Sequence, residues 1–148
     1  MTRTVYITIT GIQNDETGEE MIAELSAIGE YFDKNGSRYL LYEEADAESG
    51  AVTKNTLKAT GQNITLTKRG NIRSQMQFAP GEMHPAEYIT PYGILHLQVY
   101  TEDVKVFFGD SRGEIRLRYT LYSDGELLSR CQLTVICRSA EPPVPEAD

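Results

Sequence analysis

Tyr42-Glu43-Glu44 carries the most legible chemistry in the chain. It follows Tyr39-Leu40-Leu41 in an extended stretch, so the two carboxylates point to opposite faces and one of them turns inward whichever face is core. With Leu40, Tyr42 and Glu44 as the inward set, Glu44 stands beside Tyr42 near one end of the fold. A lone buried carboxylate needs a hydrogen-bonding or cationic partner, and Arg69, Arg73 and Arg138 are the candidates. A structural ion pair at a rim explains this pattern more economically than a catalytic acid.

Nine tyrosines and four phenylalanines, with no tryptophan, supply many amphipathic rings. Tyr31, Tyr39, Tyr42, Tyr88, Tyr92, Tyr100 and Tyr119 could line a cavity in which their hydroxyls orient a small molecule. The competing account is core filling, with hydroxyls directed to the ends of the fold. Nucleophilic catalysis has little to work with. The two histidines are His84, before Pro85 in a loop-like segment, and His96, opposite in parity to Leu95, Leu97 and Val99 and so on the outer face. No Gly-x-Ser-x-Gly accompanies them.

Cys131 and Cys137 lie six residues apart in one extended segment, about 20 Å at strand spacing, too far to bridge. Their shared apolar parity predicts buried free thiols in a reducing compartment. No paired Cys-x-x-Cys or His-x-x-x-His spacing offers a metal site, and the glycines recur one per turn instead of cradling phosphate, so no cofactor is expected. The formal net charge of −8 opposes a phosphate backbone, and the basic residues are scattered along the sequence, which argues against a nucleic-acid partner. The acidic clusters at residues 15–20 and 43–48 read as solvated turns.

The elements that must position these groups are strands. Residues 113–123 alternate Ile115, Leu117, Tyr119 and Leu121 against Glu114, Arg116, Arg118 and Thr120; residues 127–138 set Cys131, Leu133, Val135 and Cys137 against Arg130, Gln132 and Thr134. Asp124-Gly125 between them predicts a tight hairpin turn. Val5, Ile7 and Ile9 mark a first strand over residues 4–10. Further strands are predicted near 37–45, 51–59, 62–69, 72–79 and 93–101. Residues 18–28 admit two readings. Thr17-Gly18-Glu19-Glu20 has the form of a capping box before a helix, whereas a bent strand kinked at Gly29 leads naturally into the turn Asp33-Lys34-Asn35-Gly36 and is preferred.

Turns at this spacing predict an all-β fold, a closed or nearly closed antiparallel meander barrel of about 8 to 10 strands, because closure removes exposed edges. One domain spans residues 1–138, and the acidic, proline-rich residues 139–148 read as an extended, flexible tail. No apolar run approaches the roughly 20 residues of a membrane helix and no secretory leader is visible, so a cytoplasmic location without membrane association is expected.

The order Tyr42-Glu43-Glu44, Ser49-Gly50, Thr56-Leu57-Lys58, Arg69-Gly70, Phe78-Ala79-Pro80-Gly81 and Tyr88 to Gly93 resembles the YwiB-like family of small bacterial proteins of unknown function. The likeness covers about residues 4–138, and Thr90-Pro91-Tyr92-Gly93 is its most specific piece. The resemblance implies a calycin-type, lipocalin-like barrel and no established activity. Two departures stand out: Lys68 occupies the place of the family's arginine, with Arg69 adjacent to Gly70, and no lipocalin Gly-x-Trp occurs.

These residues lead to the expectation of a barrel that binds a small, partly apolar molecule in its interior, with Tyr31, Tyr42, Glu44, Arg69, Thr90, Tyr92 and Tyr119 as its contacts, an enzyme ranking behind a binding or interaction role. The alternative is an interaction or scaffolding protein acting through its outer face, where Tyr122 and Ile136 point. Either would be a monomer or a homodimer.

Overall fold

Two tight turns show how the chain reverses. Asp124 and Gly125 take φ of 51° and 79°, and Asn35 and Gly36 take 52° and 79°. Positive φ at both central residues is the twist-compatible hairpin geometry that Asn-Gly and Asp-Gly favour. The computed structural model describes residues 2–140, and within them the turns join ten strands. They are β1 (Arg3–Asp15), β2 (Glu20–Lys34), β3 (Ser37–Ala45), β4 (Val52–Thr60), β5 (Asn63–Gly70), β6 (Arg73–Phe78), β7 (Met83–Thr90), β8 (Gly93–Phe108), β9 (Arg112–Ser123) and β10 (Glu126–Ser139).

Each strand pairs antiparallel with its sequence neighbours, and β1 pairs β10 from Val5↔Ser139 to Asp15↔Ser129, which closes the barrel. The fold is therefore all-β, a closed ten-stranded antiparallel meander barrel. One end, called upper here, carries the turns after β1, β3, β5, β7 and β9; the lower end carries the others.

The lower half is filled. Ile7, Leu40, Leu57, Ile64, Phe78 and Ile115 are at most 1–2% exposed and interdigitate across the interior. Phe108 plugs the lower end. Its ring lies over Gly113, where a Cβ would come within 2.5 Å of it. Tyr31 packs against it at 5.7 Å between centroids, and the Arg38 guanidinium sits 4.7 Å over the ring.

The ladders are uneven. β2 and β3 pair only from Glu30↔Leu41 to Lys34↔Ser37, so their upper halves part. Gly29 marks the divergence, since the Leu41 carbonyl oxygen would lie 2.2 Å from a Cβ there. β6 and β7 pair only at Arg73↔Ile89 and Ser74↔Tyr88, and Pro85, which has no N–H to offer, falls in the part of β7 that pairs with β8 alone.

Several sequence boundaries need correction. Residues 18–28 hold no helix: Glu20 onward is β2, the bent strand, tied to β1. The segment around His84 is strand β7 and not a loop. β8 continues from Thr101 to Phe108 because a bulge between Thr101 and Asp103 inverts the parity, moving the inward set from Val99 and Thr101 to Val104 and Val106. A strict period of two breaks at that point. β1 likewise runs on to Asp15. At the other terminus, Ser139 completes β10 and the Ala140 N–H donates to the Thr4 carbonyl at 3.0 Å, so the barrel reaches past residue 138. The remainder of the expected tail, 141–148, lies outside the described residues.

The contact at Gly29 is testable. Gly29→Ala places a methyl against the Leu41 carbonyl and the Ile7 side chain, and is expected to lower the unfolding free energy by about 1–3 kcal/mol, read as a lower urea midpoint at unchanged m-value. Gly11→Ala, whose Cβ would meet nothing closer than 4.0 Å, is expected to stay near wild type. Equal midpoints for the two variants would contradict the account of the β2 bend.

Candidate functional site

Above the filled half, the inward positions become small or polar. Gly11 and Gln13 on β1, Ala23 on β2 and Ser129 on β10 leave space where lower positions supply Ile7 and Val135. The result is a cavity of about 620 Å³ in the upper half of the barrel. Phe78 and Tyr119, with ring centroids 4.8 Å apart, pack where the filled half gives way to it. Ile9, Leu25, Leu97, Leu121 and Leu133 make one side apolar, while Leu95 and Leu128, both substantially exposed, stand at its margin.

The facing wall is polar, and it is built on three adjacent strands. Parity turns Tyr42 and Glu44 of β3, Asn55 of β4, and Leu66 and Lys68 of β5 to the interior, and the register sets Asn55 directly between Tyr42 and Lys68. The Lys68 Nζ donates to Glu44 Oε1 at 2.6 Å and to Asn55 Oδ1 at 2.9 Å, while Asn55 Nδ2 donates to Glu44 Oε1 at 3.1 Å. Asn55 is 1% exposed. Its amide thus holds the carboxylate with one arm and the ammonium with the other. Charge-assisted bonds of this length are the stronger kind, and the pair neutralises itself inside the wall.

Tyr42 and Tyr88 approach the same carboxylate. Burial pushes both phenols above the usual range, and the Glu44 charge adds to the shift in each. Tyr119 is pushed up as well, chiefly by burial and then by the neighbouring Cys131, and the accessible surface it retains faces the cavity. Burial also raises the thiols of Cys131 and Cys137, which are free and carry no activating cation strong enough to reverse it.

Tyr88, named from the sequence as a possible lining residue, stands here, and of the seven expected contacts three meet with it: Tyr42, Glu44 and Tyr119. Four do not. Tyr31 belongs to the lower plug, where its hydroxyl donates to Asp33 at 2.8 Å, and burial together with that carboxylate pushes the phenol up to about 12. Arg69 is exposed because Ile64, Leu66 and Lys68 take the inward parity of β5, leaving odd residues outside. Thr90 shapes the turn after β7, its Oγ1 accepting from the Tyr92 N–H and donating to the Gly93 carbonyl, both at 3.1 Å. Tyr92 stands at the tip of that turn, 95% exposed.

The cation beside Glu44 is Lys68, and none of Arg69, Arg73 and Arg138 pairs with it. Parity held the missing signal, since the alternation through Ile64 and Leu66 leads to Lys68 and not to its neighbour. Asn55 has no comparable signal, because an amide inside a strand is marked by neither a motif nor an apolar alternation. His96 lies on the outer face as expected, 3.8 Å from Glu87, and His84 pairs with Glu82 at 3.3 Å, both away from the cavity. Among the described residues no cluster of histidine, cysteine and carboxylates could hold a metal ion, and no helix is long and apolar enough to cross a membrane.

A family model described as a domain of unknown function, DUF1934, matches residues 7–135. The crystal structure of the ywiB protein from Bacillus subtilis is similar over 95% of this chain and 94% of that chain, at 18% identity and a TM-score of 0.84. At that identity the likeness establishes a shared barrel, in agreement with the resemblance carried by the Thr90 to Gly93 run. No curated protein matches.

The phenols provide a test of the site's burial. Because the folded pKa values of Tyr31, Tyr42, Tyr88 and Tyr119 exceed the ordinary 10.0, the folded chain holds more protons than the unfolded one above that pH. Stability from this source is complete below 10.0 and falls as pH climbs toward the folded values. Tyrosinate ultraviolet absorbance is expected to rise in two classes, the later one coinciding with unfolding, and Tyr42→Phe is expected to shrink the later class. A single class at the ordinary value would contradict the burial.

Proposed function

The chain belongs to the DUF1934 family, whose description assigns no activity, and from that premise we propose that it is a binding barrel that holds a small, partly apolar molecule in its upper half. The observation that carries this reading is the cavity itself. At about 620 Å³ it falls in the range of small-molecule sites, which are commonly mostly apolar with a few convergent polar groups. The parting of β2 from β3 supports it further by leaving the upper interior without a continuous wall. Both histidines lie away from the cavity, and its lysine is held in an ion pair with Glu44, so binding fits the geometry better than turnover. The buried free thiols support residence in a reducing compartment such as a cytoplasm.

Native mass spectrometry of gently purified protein, joined to a thermal-shift screen of lipids and metabolites, tests the reading. A true ligand at a hundredfold excess over Kd is expected to stabilise the fold by about 2.7 kcal/mol. Gly11→Phe, which turns a ring into open space, is expected to fold and to lose the effect. A protein that carries nothing and is shifted by nothing, or a Gly11→Phe variant that binds as wild type, would overturn it.

A second reading is favoured by one observation. The upper part of β2 pairs only with β1, and Met21, Ile22 and Ile28 along it are each more than 60% exposed. An unpaired, apolar strand edge is a template for a second chain, so this edge supports a homodimer. Analytical ultracentrifugation is expected to show a concentration-dependent dimer that Ile22→Lys weakens; a chain that stays monomeric at high concentration removes the reading.

A further inference from the structure

Lys68 and Glu44 meet inside the cavity wall, and their shared bonds leave capacity on both sides. An ammonium has three donors, of which Glu44 and Asn55 take two, and a carboxylate has two oxygens, of which Oε1 receives both bonds. Among the described residues, no side chain or carbonyl engages the third donor or Oε2. Tyr42 and Tyr88 present neutral phenols to the same place. The wall thus offers one cationic donor, one anionic acceptor and two hydroxyls within a small area.

The charge balance decides what can use them. The ion pair is neutral as a unit, and Asn55, itself buried and bonded to both members, fixes it in place. An anionic ligand would compete with Glu44 for Lys68, and a cationic one would compete with Lys68 for Glu44. Either leaves a displaced charge unpaired beside Leu66 and Met76, which is costly in a partly buried setting. An uncharged group that both accepts and donates disturbs nothing. It takes the third Lys68 donor, gives a hydrogen to Glu44 Oε2, and leaves the pair intact.

We propose that the cavity selects uncharged amphiphiles, with a hydroxyl or primary-amide head read by Glu44, Asn55 and Lys68 and an apolar body lying against Ile9, Leu25, Leu97, Leu121 and Leu133. This rests on the reading of the barrel as a binding protein and adds the chemical class of its ligand. The apolar side and the polar wall face each other across one open-sided cavity, so a single molecule of this kind meets both.

The test displaces a neutral fluorescent probe, N-phenyl-1-naphthylamine, with the ten-carbon compounds decanol, decanamide, decanoate and decylammonium. Decanol and decanamide are expected to displace it at about tenfold lower concentration than either ion, the scale of a buried hydrogen bond to a charged group. The double variant Glu44→Gln with Lys68→Met is expected to retain the probe and lose the preference. Should that variant not fold, the ranking on the wild-type protein decides alone. A wild-type preference for decanoate or decylammonium, or no preference among the four, overturns the head-group assignment while leaving a binding barrel. If neither probe nor any ten-carbon compound binds the folded wild-type protein, the binding reading falls and the assignment with it.

Discussion

Everything in this molecule depends on the ladder between its first and last strands. β1 and β10 pair along their lengths, from Val5↔Ser139 up to Asp15↔Ser129, and so convert a ten-stranded meander with two hydrophobic edges into a barrel. Closure has a geometric consequence. Eight strands enclose about as much space as side chains can fill, and the diameter grows with strand number. A ten-stranded barrel must therefore either pack its interior with unusually large residues or remain partly hollow.

This chain does both, at different levels. Below, Ile7, Leu40, Leu57, Ile64 and Phe78 meet across the axis, and Phe108 closes the end over Gly113. Above, the same strands present Gly11, Ala23 and Ser129, and the interior opens. The filled half supplies the hydrophobic stabilisation that the hollow half forgoes. This division lets the upper wall carry Glu44, Asn55 and Lys68, a polar group that a close-packed core would have to satisfy completely.

The sequence announced the barrel more fully than the site. Alternation around Val5, Ile115 and Val135 and the Asp124-Gly125 turn sufficed for strands and closure, because a period of two is a local property that burial on one face enforces. Where a bulge breaks the period, as at Glu102, alternation no longer predicts the strand through Val104 to Phe108. The site depends on which strand ends lie at the same height, and that is not local. Tyr31 and Tyr42 look alike in sequence, yet one belongs to the lower plug and the other to the cavity wall. Tyr92 and Arg69 were attractive as motif residues, but a turn tip and an outward parity remove them from the interior.

The divergence of β2 from β3 ties the wall to its surroundings. Gly29 permits the Leu41 carbonyl to approach so closely that β2 must leave β3 above that point. The upper part of β3 then keeps only β4 as a ladder partner, and Glu44, paired with Thr53, is held from that side alone. Without a neighbouring ladder to fix it, the inward carboxylate gains its orientation from Asn55 and Lys68 instead. The polar triad is thus a structural response to the opening as well as a surface facing the cavity. That dual role explains why an amide, which can bond to both charges at once, occupies the central strand.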